Sequence, residues 1–305
     1  MVIVEIIRHP SDTERQQLID FVDRLTGELG ARPLSDHLWL DLNSGDGNGF
    51  VAVTVADPDG ILGMAQISAA NDSSSLELAL RPTLPDRRQL HDDLVETAVD
   101  AFRHRLGGRL SWWVDDPGDD DGALAARLGF VPERELYEMG RTLPLGQHAT
   151  IETRSFVPGQ DDAAWITVNN RAFAEHGEQG GWTPDMLAMR LAEPWFDADG
   201  FRLHERDGRL AGFCWTKLHA DRDPVVGEIY VIAVDPDFHG QGLGRQLTIA
   251  GLDSITDRGV SNAMLYVDAA NTPAVGLYES LGFAVHRRRR AFSADFAATT
   301  TRGAS

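Results

Sequence analysis

The chain has 305 residues, of which 47 are acidic and 28 basic, and its net charge of −19 makes nucleic acid and anionic membrane poor partners. Its length suits two domains of about 150 residues. No apolar run approaches the ~20 residues that span a bilayer, and the start MVIVEIIRHP lacks a signal-peptide layout, so a soluble cytoplasmic protein is expected. A single cysteine, Cys214, excludes an internal disulfide and a multi-cysteine metal site, and the histidines show no ligand spacing, so no metal is expected.

The first predicted element is a helix over 12–29. A hairpin follows in DPDGILGMAQISA (57–69), where an Asp-Gly turn feeds a strand, and then the strand LELALRP (76–82). Leu90, Leu94, Ala98 and Phe102 carry a helix over 86–106. A strand over 109–114, a short helix in ALAARLGF (123–130) and a final strand complete the series. The same series then begins again. It runs through a helix (159–175), the hairpin ERDGRLAGFCWTKL (205–218), the strand IYVIAVDP (229–236) and a helix (242–258) with Leu247, Ile249, Ala250 and Ile255 on its apolar positions. A strand (262–267), a short helix in GLYESLGF (276–283) and a last strand end it. The hairpin, third-strand and Leu-Gly-Phe segments match in order at offsets of about 149–154, which argues for duplication. The expected fold is α+β with two tandem domains, 1–146 and 150–296, joined through LPLGQHAT. Each is a mixed, mostly antiparallel sheet flanked by helices, so the chain is expected to be a monomer with an internal pseudo-dimer. The tail 297–305 is expected to be disordered.

VDPDFHGQGLGRQL (234–247) places Gly240, Gly242 and Gly244 at a strand-to-helix junction. Bare backbone there can take positive φ and approach a ligand, and the unpaired N–H groups of a helix start suit phosphate. Arg245 adds positive charge. The spacing matches neither the dinucleotide fingerprint nor the P-loop. A tight turn that binds nothing is the alternative.

An apolar strand ending in Val-x-Pro, then HGQGLGR, a helix, a strand and NxxAxxLYxxLGF resemble the GNAT acyltransferase superfamily. The residues that carry the resemblance are Val234, Pro236, Gly240–Arg245, Asn271, Ala274, Tyr278, Leu281, Gly282 and Phe283. It implies acetyl-CoA as co-substrate. The pyrophosphate would lie on His239, Gly240, Gln241, Gly242, Leu243, Gly244 and Arg245, and the pantetheine arm along Ile232, Ala233 and Val234. Asn271 and Ala274 would lie near the coenzyme, and Tyr278 beside the thioester sulfur. The tandem layout, with AFAEHGEQGGWT, WTKLH and LYVDAANTPAVGLYESLGF, is similar to members that acetylate the cysteinyl amine of a cysteine–glucosamine–inositol conjugate.

Such a reaction needs a base for the acceptor's ammonium and an acid for the thiolate. By strand alternation Glu228, Tyr230, Ile232 and Val234 share one face; spacing alone reads Glu228 as a strand-end carboxylate in water, and its place ahead of the glycine loop together with the resemblance assigns it as base, directly or through water. Tyr278 is assigned as acid; without the resemblance it reads as a core aromatic. Lys217 shares a face with Phe213 and Trp215 and suits a hydroxyl-rich substrate; Glu178 suits its amine or is a solvated loop carboxylate; Tyr266 lines the site or the core, and the resemblance implies Asp36 as a further contact to the substrate. Cys214 reads as a small core residue rather than a nucleophile. Two alternatives stay open, namely acetylation of another small-molecule or peptide amine, and a non-catalytic CoA-sensing module.

The first half lacks these features. Aligned by the repeat, HGQGLG falls on PDRRQL (85–90), Glu228 on Ser74 and Tyr278 on Ala125. Residues 1–146 carry 26 acidic against 13 basic side chains, which disfavours a ligand with several phosphates. The first domain is therefore expected to be degenerate and non-catalytic.

Overall fold

The computed structural model describes residues 3–44, 49–69, 73–104, 106–174 and 179–297. The expected disorder of the tail falls, from 298 onward, outside them. The chain forms two compact units, residues 1–135 with 288–305, and residues 136–287.

The first unit contains β1 (Ile3–Ile7), α1 (Asp12–Leu29), α2 (Asp36–Ser44), β2 (Val51–Asp57), β3 (Gly60–Ala69), β4 (Ser74–Leu80), α3 (Arg87–Arg103), β5 (Gly108–Asp115) and α4 (Asp119–Leu128). Helix α1 starts where Ser11 and Glu14 close a capping box and stops at left-handed Gly30. Its buried Leu18, Phe21, Val22 and Leu25 follow helical spacing and pack with α2 against one face of the sheet. On the other face Leu94, Val95, Ala98 and Phe102 of α3 meet Leu76, Leu80 and Trp112. Helix α2 was not foreseen from the sequence.

The second unit contains β7 (Arg154–Ser155), α5 (Asp162–Ala172), α6 (Pro184–Leu191), β8 (Phe201–Arg206), β9 (Arg209–His219), β10 (Val226–Val234), α7 (Leu243–Asp257), β11 (Asn262–Asp268) and α8 (Thr272–Ser280). Helix α7 buries Leu247, Ile249, Leu252 and Ile255 on one face of the sheet. On the opposite face, α5 and α6 enclose an aromatic cluster with Trp165, Trp182, Phe201, Phe213 and Trp215.

The expected boundaries at 146 and 150 do not match the compact units, because the final strands are exchanged. The last strand of the first half, β6 (Val131–Thr142), pairs through Leu136–Thr142 with β11 of the second unit. The last strand of the second half, β12 (Ala284–Phe296), pairs through Arg289–Phe296 with β5 of the first unit. Packing fixes the exchange. Met139 is buried in the α7 core, while Phe292 lies 5.6 Å from Trp112 and the Ser111 and Ser293 hydroxyls are 2.9 Å apart. The strand orders are β1-β2-β3-β4-β5-β12 and β6-β11-β10-β9-β8-β7. Within each order one neighbouring pair, β4–β5 or β10–β11, is parallel and the others are antiparallel.

Candidate active site

Strands β10 and β11 pair through Gly227–Ile229 against Ala263–Leu265, and their ladder then ends although both strands continue. On its other side β10 stays bonded to β9, with a bulge between Ile229 and Val231. The two strands therefore splay, and residues 230–234 present a backbone edge that β11 does not use, a place where an extended ligand arm can add to the sheet. The bulge also corrects the alternation expected for this strand. Tyr230, Val231 and Ala233 join the aromatic cluster on the face of α5 and α6, whereas Ile232 and Val234 pack on the α7 side. One extra residue on the strand reverses the facing of everything beyond it.

At the end of β10 the chain reaches the glycine turn. Gly240 and Gly242 have φ of 76° and 75°, a region closed to most side chains, and an added Cβ at either would meet no protein atom within 4 Å. Gly242 is the N-cap of α7, which has no side-chain cap, so its first-turn N–H groups remain available to an anion. Leu243 is buried as the anchor of that turn and Gln241 is exposed. The His239 ring is 3.0 Å from the carbonyl of Val234, so it locks the loop to the strand. Arg245 donates to the Ser280 hydroxyl at 2.8 Å, joining α7 to α8. Asn271 accepts from the Ala274 N–H at 3.2 Å, which makes this pair the N-terminal cap of α8.

Glu228 is buried to 6 % exposure on β10 and lies directly across the ladder from Lys217. One of its oxygens is 2.7 Å from Nε2 of His219. Lys217 is 5 % exposed, with its ammonium 4.8 Å from the Trp195 ring centre and 5.5 Å from that of Tyr230; this is a cation–π cage. Met264 stands beside Glu228 on β11, and Tyr266, two residues further on, donates to Glu138 of β6 at 3.0 Å. Arg222 is 4.0 Å from Glu138 and 3.2 Å from the Met264 sulfur. One sheet face thus gathers Glu228, Lys217, His219, Tyr266 and Glu138. Of these, the sequence had offered Glu228, Lys217 and Tyr266 as candidates. His219 was readable from its period-two spacing after Lys217, whereas Glu138 was not, because strand exchange brings it there.

Tyr278 lies with α7 and α8, 6 % exposed in the apolar cluster that also holds Cys214 and Ile229. Burial raises its phenol above the ordinary value, so the hydroxyl keeps its proton at neutral pH. Burial likewise pushes the Cys214 thiol up to about 12, and a side chain added at Gly251 of α7 would meet its sulfur at 2.4 Å. Cys214 is packing, not nucleophile. Asp36 belongs to the first unit, in the first turn of α2, 3.7 Å from Arg32. Glu178 lies outside the described residues. Among the described residues no group of three or more metal-ligating side chains occurs, and no helix is long and apolar enough to cross a membrane.

A splayed parallel strand pair leading into a glycine turn at a helix start defines an acetyltransferase of the GNAT class, which uses acetyl-CoA as co-substrate. Residues 168–283 match the Acetyltransferase (GNAT) family. The chain also belongs to the mycothiol acetyltransferase family. It is 42% identical to the mycothiol acetyltransferase of Acidothermus cellulolyticus over 86% of this chain and 85% of that one. It is 41% identical to that of Thermomonospora curvata over 90% and 91%. In fold it is similar to a GCN5-related N-acetyltransferase from Sphaerobacter thermophilus (TM-score 0.66, 21% identity, 98% of each chain). It is also similar to a tandem GNAT protein from the clavulanic acid biosynthesis pathway (TM-score 0.64, 16% identity, 98% and 100%).

Proposed function

We propose that this chain transfers the acetyl group of acetyl-CoA to the cysteinyl amine of the cysteine–glucosamine–inositol precursor, releasing CoA and forming mycothiol. The observation that carries the chemistry is Glu228, a buried carboxylate on the splayed strand, beside the opening and ahead of the glycine turn. The pyrophosphate rests on the backbone of Gly240–Gly244, and the pantetheine arm runs along Ile232–Val234 into the splay. Glu228 takes the ammonium proton on one side of the opening, directly or through a water, and the free amine attacks the thioester carbonyl. Tyr278, on the α7 side, gives its proton to the departing thiolate, and the second proton of the acceptor nitrogen, shed as the amide forms, restores the phenol. Lys217 and Tyr266 line the acceptor's side of the sheet, where a caged ammonium and a phenol suit hydroxyl groups. Asp36 and Glu178 remain proposed contacts to the same substrate.

The first unit serves as scaffold. Its strands β4 and β5 also pair in parallel through three residues, and the middle pair, which is Glu228–Met264 in the second unit, is Ser75–Ser111. The sheet register thus puts Ser75, not Ser74, in the place of Glu228, and no carboxylate stands there. Ala125 occupies the place of Tyr278, since each accepts a bond from the phenylalanine that ends its Leu-Gly-Phe turn. Release of CoA with the cysteine–glucosamine–inositol amine as acceptor tests the substrate. Glu228→Gln tests the base: kcat is expected to fall at least about 100-fold while acetyl-CoA affinity holds, and wild-type turnover would remove Glu228 from the mechanism.

A further inference from the structure

The sum of the reaction, ammonium plus thioester giving amide plus thiol, releases one proton, and Glu228 must pass it on before the next turnover. Among the described residues, His219 offers an exit. Nε2 of His219 is 2.7 Å from Oε2, and the ring, 15% exposed, has Nδ1 3.9 Å from the Asp221 carboxylate, which is 34% exposed. Buried carboxylate, half-buried imidazole and solvent-facing carboxylate thus form a row from the site toward water.

We propose that His219 is the positioning residue and proton relay of Glu228, so that the working base is the Glu228–His219 couple. This inference rests on the reading of Glu228 as base. The hydrogen bond fixes one oxygen of Glu228 and leaves the other for the acceptor. When the ammonium N–H bond breaks, its proton goes to Glu228. With the imidazole in its Nδ1–H tautomer, the carboxyl turns to present this proton to the bare Nε2, the imidazolium releases its Nδ1 proton to water on the Asp221 side, and exchange with water restores the Nδ1–H tautomer before the next turnover, so one proton leaves the acceptor and one reaches solvent. The charged groups around the ring are consistent with this direction. Lys217 stands across the ladder from Glu228 with its ammonium held over Trp195 and Tyr230. The Arg222 backbone N–H donates to the His219 carbonyl at 3.3 Å, while its guanidinium is turned to Met264 and Glu138. The row from Glu228 through His219 ends on a carboxylate.

The test is His219→Gln, whose amide can donate to Glu228 but cannot take up a proton. A purely structural bond would be restored by glutamine. The relay instead predicts acetyl-CoA binding within about twofold of wild type, kcat at pH 7 lower by about tenfold or more, and an acidic limb of kcat moved to lower pH by about one unit. Wild-type kcat and an unmoved profile would overturn the relay. Glu228→Gln measured in parallel separates the two readings. If it turns over normally, the assignment of the base fails; if it is inactive while His219→Gln is normal, the relay alone fails. Should His219→Gln not fold, ¹⁵N-histidine spectra of the wild type and Glu228→Gln replace it. A changed titration of the His219 nitrogens supports the couple, and an unchanged one overturns it.

Discussion

Gly242→Ala separates backbone strain from ligand binding at the cradle. The residue has φ of 75° and ψ of 5°, a conformation that costs an L side chain about 1 kcal/mol, and the new methyl meets no protein atom within 4 Å. Stability should therefore fall by only about 1 kcal/mol, or roughly 2–4 °C in Tm for a unit of this size. The methyl would, however, occupy space that the pyrophosphate needs in order to reach the α7 N–H groups. Loss of one charge-assisted hydrogen bond, about 1.5–3 kcal/mol, raises the Kd for acetyl-CoA by about 10- to 100-fold. Gly129→Ala is the control, with φ of 88°, equally open space, and a place at the C-cap of α4 in the first unit. Calorimetric titration with acetyl-CoA and thermal melts read both quantities. Equal Tm losses with weakened binding in Gly242→Ala alone support the cradle. Unchanged acetyl-CoA affinity in Gly242→Ala would refute it.

Other residues carry their own tests. Cys214, buried and with its thiol near 12, should resist iodoacetamide in the native protein at pH 8 and react in urea, and Cys214→Ala should keep wild-type kcat; rapid native alkylation with loss of activity would contradict its packing role. Arg154 donates twice to Asp161, at 2.7 and 2.8 Å, and holds its carboxyl below the ordinary range against the opposing effect of burial. A depressed carboxylate stabilises the fold above its unfolded value, and that contribution is lost as pH falls through the lowered one. Because Arg154 is 40% exposed, Asp161→Asn should cost only about 1–2 kcal/mol at pH 7. Urea midpoints should show the gap from wild type narrowing below about pH 4, and a gap independent of pH would show that the ion pair is not its source.

Much of the architecture was legible because local patterns have local causes. The helix predicted over 12–29 has those bounds, and α3 and α7 differ from their expected ranges by one to three residues at each end. Their apolar faces bury the residues that the 3.6 period selected, Leu90 being only partly buried. The glycine turn was legible for the same reason, since glycine marks positive φ wherever a helix must start without a side chain in the way. The short helices α2 and α6 left too little periodicity to read.

The pattern along the chain was enough to read the repeated α+β plan, the glycine turn present in the second half, the absence of a matching carboxylate and phenol in the first, and Glu228, Lys217 and Tyr266 as candidates for the site. The tertiary structure was needed to see which strand completes which sheet, because β6 and β12 both follow Leu-Gly-Phe turns and nothing local distinguishes their partners. It alone revealed the bulge at Tyr230, which reverses the faces of Ile232 and Val234. It also placed Glu138 from the first half beside Tyr266, and the ring of His219 against Glu228. Spacing along a chain reports what one segment prefers, while pairing across a sheet depends on partners that can lie more than a hundred residues away.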